Sequence, residues 1–147
     1  MPRNRLFEAD KNLILAGSPR TLYEGKELMP LLRDLYGKKN IKIILIEISP
    51  EATIWRNSHR RLCELMRHPI LYNKETEKLQ NCPLDGSKLV RRKGLDDPET
   101  IKIRLKEYNE RTFPLLEYFG EQGFNVTKIK GEQSVAEVFE DIMEAIK

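Results

Sequence analysis

Apolar positions along the chain fall into short continuous runs and into helical spacings. Asn12–Ala16 is a short apolar run and Ile41–Ile48 a nearly continuous one, and both predict buried strands; Asn125–Ile129 predicts a third, shorter one. Leu22–Tyr36 carries apolar residues at helical spacing and predicts a helix that Gly37 ends. Because strands alternate with helices, the pattern indicates an α/β fold with a parallel sheet.

Capping residues predict where the remaining helices begin. Residues 49–61 open with Ser-Pro-Glu and residues 97–118 with Asp-Pro-Glu, which supply an N-cap, a first-turn proline and a first-turn acid. Pro114 predicts a kink in the second of these helices. Ser134 and Glu137 form the pattern of a capping box, which predicts a final helix.

The apolar periodicity is lost between these elements, over residues 62–93, where Pro69, Cys82, Pro83 and Gly86 interrupt the chain. We interpret this stretch as an insertion with its own small structure. The predicted organisation is therefore a core in two parts, residues 1–61 and 94–147, with the insertion between them.

The amino-acid composition excludes several classes of protein. Lys and Arg total 26 against 23 Asp and Glu, which excludes a strongly basic nucleic-acid arm and an acidic tail. No apolar run approaches the roughly 20 residues of a membrane span. Two cysteines exclude a disulfide scaffold. The composition therefore predicts a cytoplasmic protein with no nucleic-acid or membrane partner.

Arginines dominate the candidate chemistry. Arg20 follows the first predicted strand, at the sheet edge where α/β proteins bind ligands. Arg56 and Arg60 are four residues apart and share a helix face. With Arg92 and Arg104 they form a set suited to phosphoryl transfer, in which charge stabilisation does most of the catalysis. The alternative is that these arginines belong to a turn and to solvated basic surfaces.

A second candidate site lies in the insertion. Cys63 and Cys82-Pro-Leu-Asp85 resemble two knuckles of a structural zinc site, and His68 offers a further ligand. Met66 stands where a second ligand of the first knuckle is expected, and methionine is a poor Zn²⁺ ligand. The alternative is a pair of free buried cysteines.

In its motifs the sequence resembles adenylate kinase and related nucleoside monophosphate kinases, over roughly residues 10–147. The matching motifs occur in the family's order: Gly17-Ser-Pro-Arg-Thr21, Arg56 with Arg60-Arg61, Arg92 with Asp96-Asp97 and Arg104-Leu105, Tyr108 with Thr112, Pro114-Leu115 and Tyr118, and Gly131 with Ser134–Val138. The resemblance implies a parallel-sheet core of the P-loop kinase type with residues 62–93 as an inserted mobile lid.

The resemblance also implies roles. Arg60, Arg92 and Arg104 look like the arginines around the transferred phosphoryl group. Arg56 looks like the arginine that stacks on the base of ATP, and Gly131 like a glycine beside that base. The implied reaction is ATP + AMP = 2 ADP with Mg²⁺, by a cytoplasmic enzyme that is monomeric when complete.

The motif Gly17-Ser-Pro-Arg-Thr21 implies which residues bind the nucleoside monophosphate. Gly17 and Arg20 look like the residues that hold the α-phosphate of AMP. Glu24 stands where the family has a glutamine that reads adenine, and a carboxylate, which only accepts hydrogen bonds, suits guanine better. A GMP kinase is therefore an alternative.

The main departure from the family is that no G-x-x-x-x-G-K-[ST] loop occurs in these 147 residues. We expect them to be the C-terminal part of such an enzyme and to be inactive alone. Ala16 also replaces an acid expected near the Mg²⁺ water shell. A non-catalytic remnant that binds a nucleotide or a partner is the alternative from another class.

Overall fold

The computed structural model describes residues 11–92 and 94–147. The chain divides into two compact units. The first, which we call the sheet unit, comprises the chain up to Glu47 together with Glu107–Lys147. The second, the inserted unit, is Ile48–Lys106. The boundaries predicted from sequence, with an insertion over 62–93, stay a prediction.

The sheet unit is an α/β structure. Helix α1 is Leu22–Tyr36, and strand β1, Ile43–Glu47, pairs in parallel with β5, Val126–Lys130. Helix α4 is Phe113–Glu121 and α5 is Val135–Ala145. The predicted α/β class with a parallel sheet is therefore confirmed.

Helices α1 and α4 pack on the strands through one apolar core. A mid-helix Gly25 lets the two helices approach closely, because a Cβ there would overlap with Leu115. The buried side chains of this core are Met29, Leu32, Leu115, Phe119 and Phe124.

Local capping chemistry sets the helix ends as predicted. Helix α1 ends at Gly37, whose N–H donates to Arg33 O at 2.9 Å. Helix α5 begins with a complete capping box, in which the Ser134 hydroxyl accepts from Glu137 N and the Glu137 carboxylate accepts from Ser134 N. Two of the four orphan N–H donors of α5 are thus accounted for by its own sequence.

The prediction of a strand over Asn12–Ala16 is wrong, because no described strand pairs with these residues and Ile14 is 91% exposed. A strand needs a ladder partner for its backbone groups, and the described sheet consists of β1 and β5 alone. Strand β1 forms as predicted, but none of its residues is buried, so it is not covered on both faces.

The inserted unit begins with α2, Pro50–His59, capped by the Ser49 hydroxyl as predicted. Three short strands follow in the antiparallel order β3-β2-β4: β2 is Arg61–Cys63, β3 is Pro69–Ile70 and β4 is Leu89–Val90. Their core is small and consists of Cys63, Ile70, Cys82 and Leu89.

The long helix predicted over 97–118 is interrupted near the expected proline. Helix α3, Pro98–Glu107, passes into a π-helical turn over Tyr108–Thr112 before α4 begins. Pro114 lacks the N–H that would bond to the carbonyl four residues earlier, which interrupts the regular hydrogen bonding of the helix at this point. None of the described helices combines the length and apolarity that a bilayer span requires.

Candidate functional site

The loop after residues 12–16 is shaped by its own hydrogen bonds. Gly17 has φ of +77°, a backbone conformation that disfavours residues with a side chain, and a Cβ there would lie 2.9 Å from the guanidinium of Arg20, which would have to shift. Arg20 Nε donates to Gly17 O at 2.5 Å. Thr112 Oγ1 donates to Arg20 O at 2.8 Å, which ties the loop to the turn before α4. The side chain of Arg20 therefore lies against the backbone of Gly17, the other residue of this motif that was predicted to bind the monophosphate.

Glu24 lies in the first turn of α1. Its carboxylate accepts from Arg20 N at 2.6 Å, while the Thr21 hydroxyl accepts from Glu24 N at 3.2 Å. This reciprocal pair caps the helix N-terminus, where a negative charge is also favoured by the helix dipole. Glu24 therefore has a local partner in a capping arrangement.

Gly131 follows β5 at the carboxyl end of the sheet, where α/β proteins place ligands. Its N–H donates to Glu47 O at 2.7 Å, at the end of β1. A Cβ on Gly131 would lie 2.7 Å from the same oxygen and 2.8 Å from Ile46 Cγ2, closer than real Cβ atoms come. Only glycine allows the two chains to approach this closely after their last paired residues, Glu47 and Lys130.

Two of the predicted arginines share one buried carboxylate in the inserted unit. Asp96 Oδ1 lies 3.1 Å from Arg60 Nη2 and 2.5 Å from Arg92 Nη2, and Asp96 Oδ2 accepts from Arg92 Nε at 3.2 Å. The Asp96 side chain is 3% exposed, and those of the two arginines are 24% and 22% exposed. The arrangement therefore fixes both guanidinium groups while leaving part of each open to solvent.

The electrostatics of this trio favour its charged form. Burial raises the pKa of Asp96, but hydrogen bonds from Arg92 and Arg60 outweigh it, so that the pKa lies below its usual value. The hydrogen bond to Asp96 raises the pKa of Arg92. The sequence analysis noted Asp96 only as part of a motif. Its spacing of four residues from Arg92 is the signal that could have identified the pair.

The other candidate arginines lie elsewhere. Arg56 is half-buried on α2, and Arg104 is exposed in the last turn of α3. Arg20 and Gly131 belong to the sheet unit, whereas Arg56, Arg60, Arg92 and Arg104 belong to the inserted unit. Arg61, which the sequence analysis named only as part of a motif, donates to the backbone carbonyls of Thr76 and Leu79 and so supports the loop between β3 and β4.

The four predicted metal ligands come together in the inserted unit. Ligand atoms of Cys63, His68, Cys82 and Asp85 all lie within 4.8 Å of one another. Cys63 Sγ is 3.0 Å from Asp85 Oδ2 and 3.4 Å from His68 Nδ1, and Cys82 Sγ is 3.7 Å from the same nitrogen. A cluster of two sulfurs, one nitrogen and one oxygen therefore forms around one point.

The shell around these four residues orients them. Asp85 Oδ1 accepts from Ser87 N at 2.9 Å and from Ser87 Oγ at 2.7 Å, so that Oδ2 faces the cluster. The Cys63 thiol and then Ser87 hold the pKa of Asp85 well below its usual range, whereas burial raises the pKa of Cys82. Met66 is 63% exposed, which is consistent with His68 rather than Met66 completing the set.

Comparison with known proteins gives relatives along nearly the whole chain. The adenylate kinase of Oceanobacillus iheyensis is 37% identical over 142 residues, which are 95% of this chain and 64% of that protein. The adenylate kinases of Caldicellulosiruptor saccharolyticus and Methanosarcina barkeri are each 34% identical over 148 residues, covering 98% and 99% of this chain and 67% of their own length.

None of the protein-family models matches the chain. The chain spans about two thirds of the length of the curated relatives it matches. The matched region extends through both units. The chain belongs to the adenylate kinase family.

Proposed function

We propose that these residues are part of an adenylate kinase that transfers the terminal phosphoryl group of ATP to AMP and so forms two ADP. The observation that carries the proposal is the pair of guanidinium groups, Arg60 and Arg92, held on the buried carboxylate of Asp96. Phosphoryl transfer depends mostly on positioning and on stabilising charge at the phosphoryl oxygens, and fixed guanidinium groups supply both.

In this proposal each candidate residue has a binding role. Arg60 and Arg92, with Arg104, stabilise the transferred phosphoryl group, and the pairing with Asp96 orients the first two before substrate arrives. Arg20, in the loop that begins at Gly17, binds the phosphate of AMP through bidentate hydrogen bonds. Mg²⁺ arrives with ATP.

We propose two residues, Arg56 and Gly131, for contacts with the base of ATP. Arg56 stacks on the base, because a planar guanidinium is suited to an aromatic face. Gly131, which follows β5 at the carboxyl end of the sheet, is the second candidate for a contact with the base.

A fusion protein tests this function. It joins these 147 residues to the part of the Oceanobacillus iheyensis adenylate kinase that they do not cover, and ADP formation from ATP, AMP and Mg²⁺ is measured. We expect turnover from the fusion but none from the 147 residues alone, above about 1% of a typical kcat near 10 s⁻¹. A fusion that folds and binds ATP without turnover would favour a non-catalytic nucleotide-binding protein.

A matched pair of substitutions tests the proposed role of Arg60 in phosphoryl transfer. Arg60→Lys keeps the charge but loses the planar fork, and we expect kcat to fall by about a hundredfold or more, as when one transition-state donor is removed. Arg33→Lys, an exposed arginine in the last turn of α1, is the control and should leave kcat within about twofold. Equal effects of the two substitutions would exclude a specific role for Arg60.

We also propose that Cys63, His68, Cys82 and Asp85 bind one structural Zn²⁺. Zn²⁺ takes four ligands in a tetrahedron, with Zn–S near 2.3 Å and Zn–N near 2.0 Å, which separates ligand atoms by about 3.3 to 3.8 Å. Four separations are close to that geometry: 3.0 Å for Cys63–Asp85, 3.1 Å for His68–Asp85, 3.4 Å for Cys63–His68 and 3.7 Å for Cys82–His68. A thiolate pair with one imidazole is a ligand set that favours zinc over Mg²⁺ or Ca²⁺.

Elemental analysis of protein purified without chelator tests the zinc proposal. We expect about one equivalent of zinc per chain, a loss of most of it in Cys63→Ser, and retention in Met66→Ala, because Met66 is exposed. Zinc below about a tenth of an equivalent in the unsubstituted chain, or its loss in Met66→Ala, would contradict the proposed ligand set.

Adenine is the base that we propose for the monophosphate. The alternative, GMP, depends on a Glu24 carboxylate that is available to a purine edge, whereas Glu24 accepts from Arg20 N in the helix cap. The ratio of AMP to GMP turnover in the fusion decides between the two substrates.

A further inference from the structure

The hydroxyl of Thr112 forms a hydrogen bond to a distant segment of the sheet unit rather than to its own helix. Thr112 precedes α4, at the position where a threonine commonly caps a helix by accepting from a helix N–H. It makes no such capping bond, and its backbone is helical, with φ of −98° and ψ of −39°. Thr112 Oγ1 donates instead to Arg20 O at 2.8 Å, across 92 residues of sequence. The hydroxyl therefore connects two segments that only the fold brings together.

Thr112 shares the face of α4 that packs on α1. Leu115 and Phe119 lie at positions i+3 and i+7 from it, and both are buried in the core that the two helices share. The contact between Gly25 and Leu115 is so close that a Cβ on the glycine would overlap with the leucine. The bond from Thr112 to Arg20 is therefore a second connection between the same two parts of the chain. The first fixes the start of α1, and the second fixes the loop that precedes α1.

Arg20 is held at three atoms, and the end of its guanidinium is left open. Arg20 N donates to Glu24 Oε2 at 2.6 Å and Arg20 Nε donates to Gly17 O at 2.5 Å, and both bonds are local. Of the three bonds, the one from Thr112 comes from another part of the chain. Nη1 and Nη2 of Arg20, the donors that remain for a bidentate phosphate contact, bond to none of the described residues. The orientation of these donors within the sheet unit therefore depends on Thr112.

We infer that Thr112 is a positioning residue for the nucleoside monophosphate, because its hydroxyl holds the Arg20 carbonyl and so directs the open guanidinium nitrogens at the phosphate. The inference rests on the proposed function, in which Arg20 binds the phosphate of AMP. Such groups must be placed accurately, since an error of about 1 Å can cost about a hundredfold in rate. A valine at this position keeps the shape of the side chain but leaves Arg20 O without this donor, so that other orientations of the loop become accessible.

Two substitutions in the fusion protein separate the hydroxyl from the shape of the side chain. Thr112→Val removes the donor and keeps the β-branched shape, whereas Thr112→Ser keeps the donor. We expect Thr112→Val to raise the KM for AMP at least about threefold, as for the loss of one ordinary hydrogen bond, and to leave the KM for ATP within about twofold. Thr112→Ser should keep the KM for AMP within about twofold of the unsubstituted fusion. A substitution that only loosened the fold would not distinguish AMP from ATP.

A double-mutant cycle tests whether Thr112 acts through Arg20. Arg20→Lys removes the planar fork that the hydroxyl is inferred to orient, so in that background Thr112→Val should change the KM for AMP by less than about twofold. Thr127→Val is the matched control, because Thr127 lies on β5, which carries none of the residues proposed to bind AMP. It should change the KM for either nucleotide by less than about twofold.

Amide hydrogen exchange in the 147-residue chain tests the connection without any nucleotide. Arg20 N donates to Glu24, and Gly25 N donates to Thr21 O, so both amides report the order of the loop and of the first turn of α1. We expect them to exchange at least about threefold faster in Thr112→Val than in Thr112→Ser. Equal exchange in the two variants would show that the hydroxyl does not hold the loop, and would overturn the inference.

The outcomes separate the positioning role from the proposed function. A fusion that forms ADP with the same KM for AMP in Thr112→Val and Thr112→Ser overturns the inference and leaves the function standing. A fusion that forms no ADP contradicts the function, and the inference then stands only if calorimetry shows weaker AMP binding by Thr112→Val than by Thr112→Ser. Equal or absent AMP binding overturns the inference, as does an effect of Thr112→Val that persists in the Arg20→Lys fusion.

Discussion

Replacing Asp96 by asparagine removes the negative charge between Arg60 and Arg92 and keeps the size of the side chain. The Asp96 side chain is 3% exposed and receives hydrogen bonds from both arginines. Breaking a fully buried ion pair costs about 3 to 5 kcal/mol. Because each guanidinium is roughly a quarter exposed, water compensates for part of this loss. We therefore expect the free energy of unfolding of the inserted unit to fall by about 2 to 3 kcal/mol.

The single tryptophan makes this measurable. Trp55 is the only tryptophan of the chain and lies on α2, so its fluorescence reports the unfolding of the inserted unit. With an m-value near 2 kcal/mol/M, the urea midpoint should fall by about 1 to 1.5 M. Asp97→Asn is the control, since Asp97 is exposed and the substitution should leave the midpoint nearly unchanged.

The direction in which the stabilisation by Asp96 changes with pH follows from the shift in its pKa. The pKa of Asp96 is lower in the folded protein than its usual value, so the unfolded chain takes up a proton first as the pH falls. The stabilisation is therefore present above the unfolded-state pKa of about 3.9 and is lost as the pH falls through the folded-state pKa. The difference between Asp96→Asn and the unsubstituted protein should thus shrink below about pH 4. A difference under about 0.5 kcal/mol at pH 7 would refute the reasoning.

Three further predictions follow from the sheet unit. Gly131→Ala should lower the free energy of unfolding of the sheet unit by about 1 to 3 kcal/mol, because the added Cβ would meet Glu47 O. Urea unfolding followed by circular dichroism measures this change. An unchanged urea midpoint would show that the strand ends adapt to the Cβ. Ser134→Ala removes half of the capping box of α5 and should cost about 1 kcal/mol in the same assay, with no loss if water replaces the hydroxyl. Glu24→Gln in the fusion should leave the ratio of AMP to GMP kcat/KM within about twofold, or about 0.4 kcal/mol, whereas a larger shift would show that Glu24 reads the base.

The sequence by itself determined the features that depend on neighbouring residues. The bounds of α1, the Ser49 cap of α2, the interruption before Pro114 and the capping box at Ser134 could all be predicted. Each of them is formed by hydrogen bonds or steric limits within about four residues, so a single segment contains the whole interaction. Strand β1 was also predicted, because a β-branched apolar run is intrinsically suited to a sheet.

Only the tertiary structure decided which distant residues meet. Cys63 and Asp85 are 22 residues apart in the sequence, and the fold brings their ligand atoms together with those of His68 and Cys82, while Met66 is 63% exposed. Asp96 joins Arg60 across 36 residues, a pairing that no spacing rule predicts. The strand expected at residues 12–16 illustrates the same limit. Its apolar pattern is local, but a strand exists only where another chain segment lies alongside to complete its hydrogen bonds, and composition cannot supply that segment.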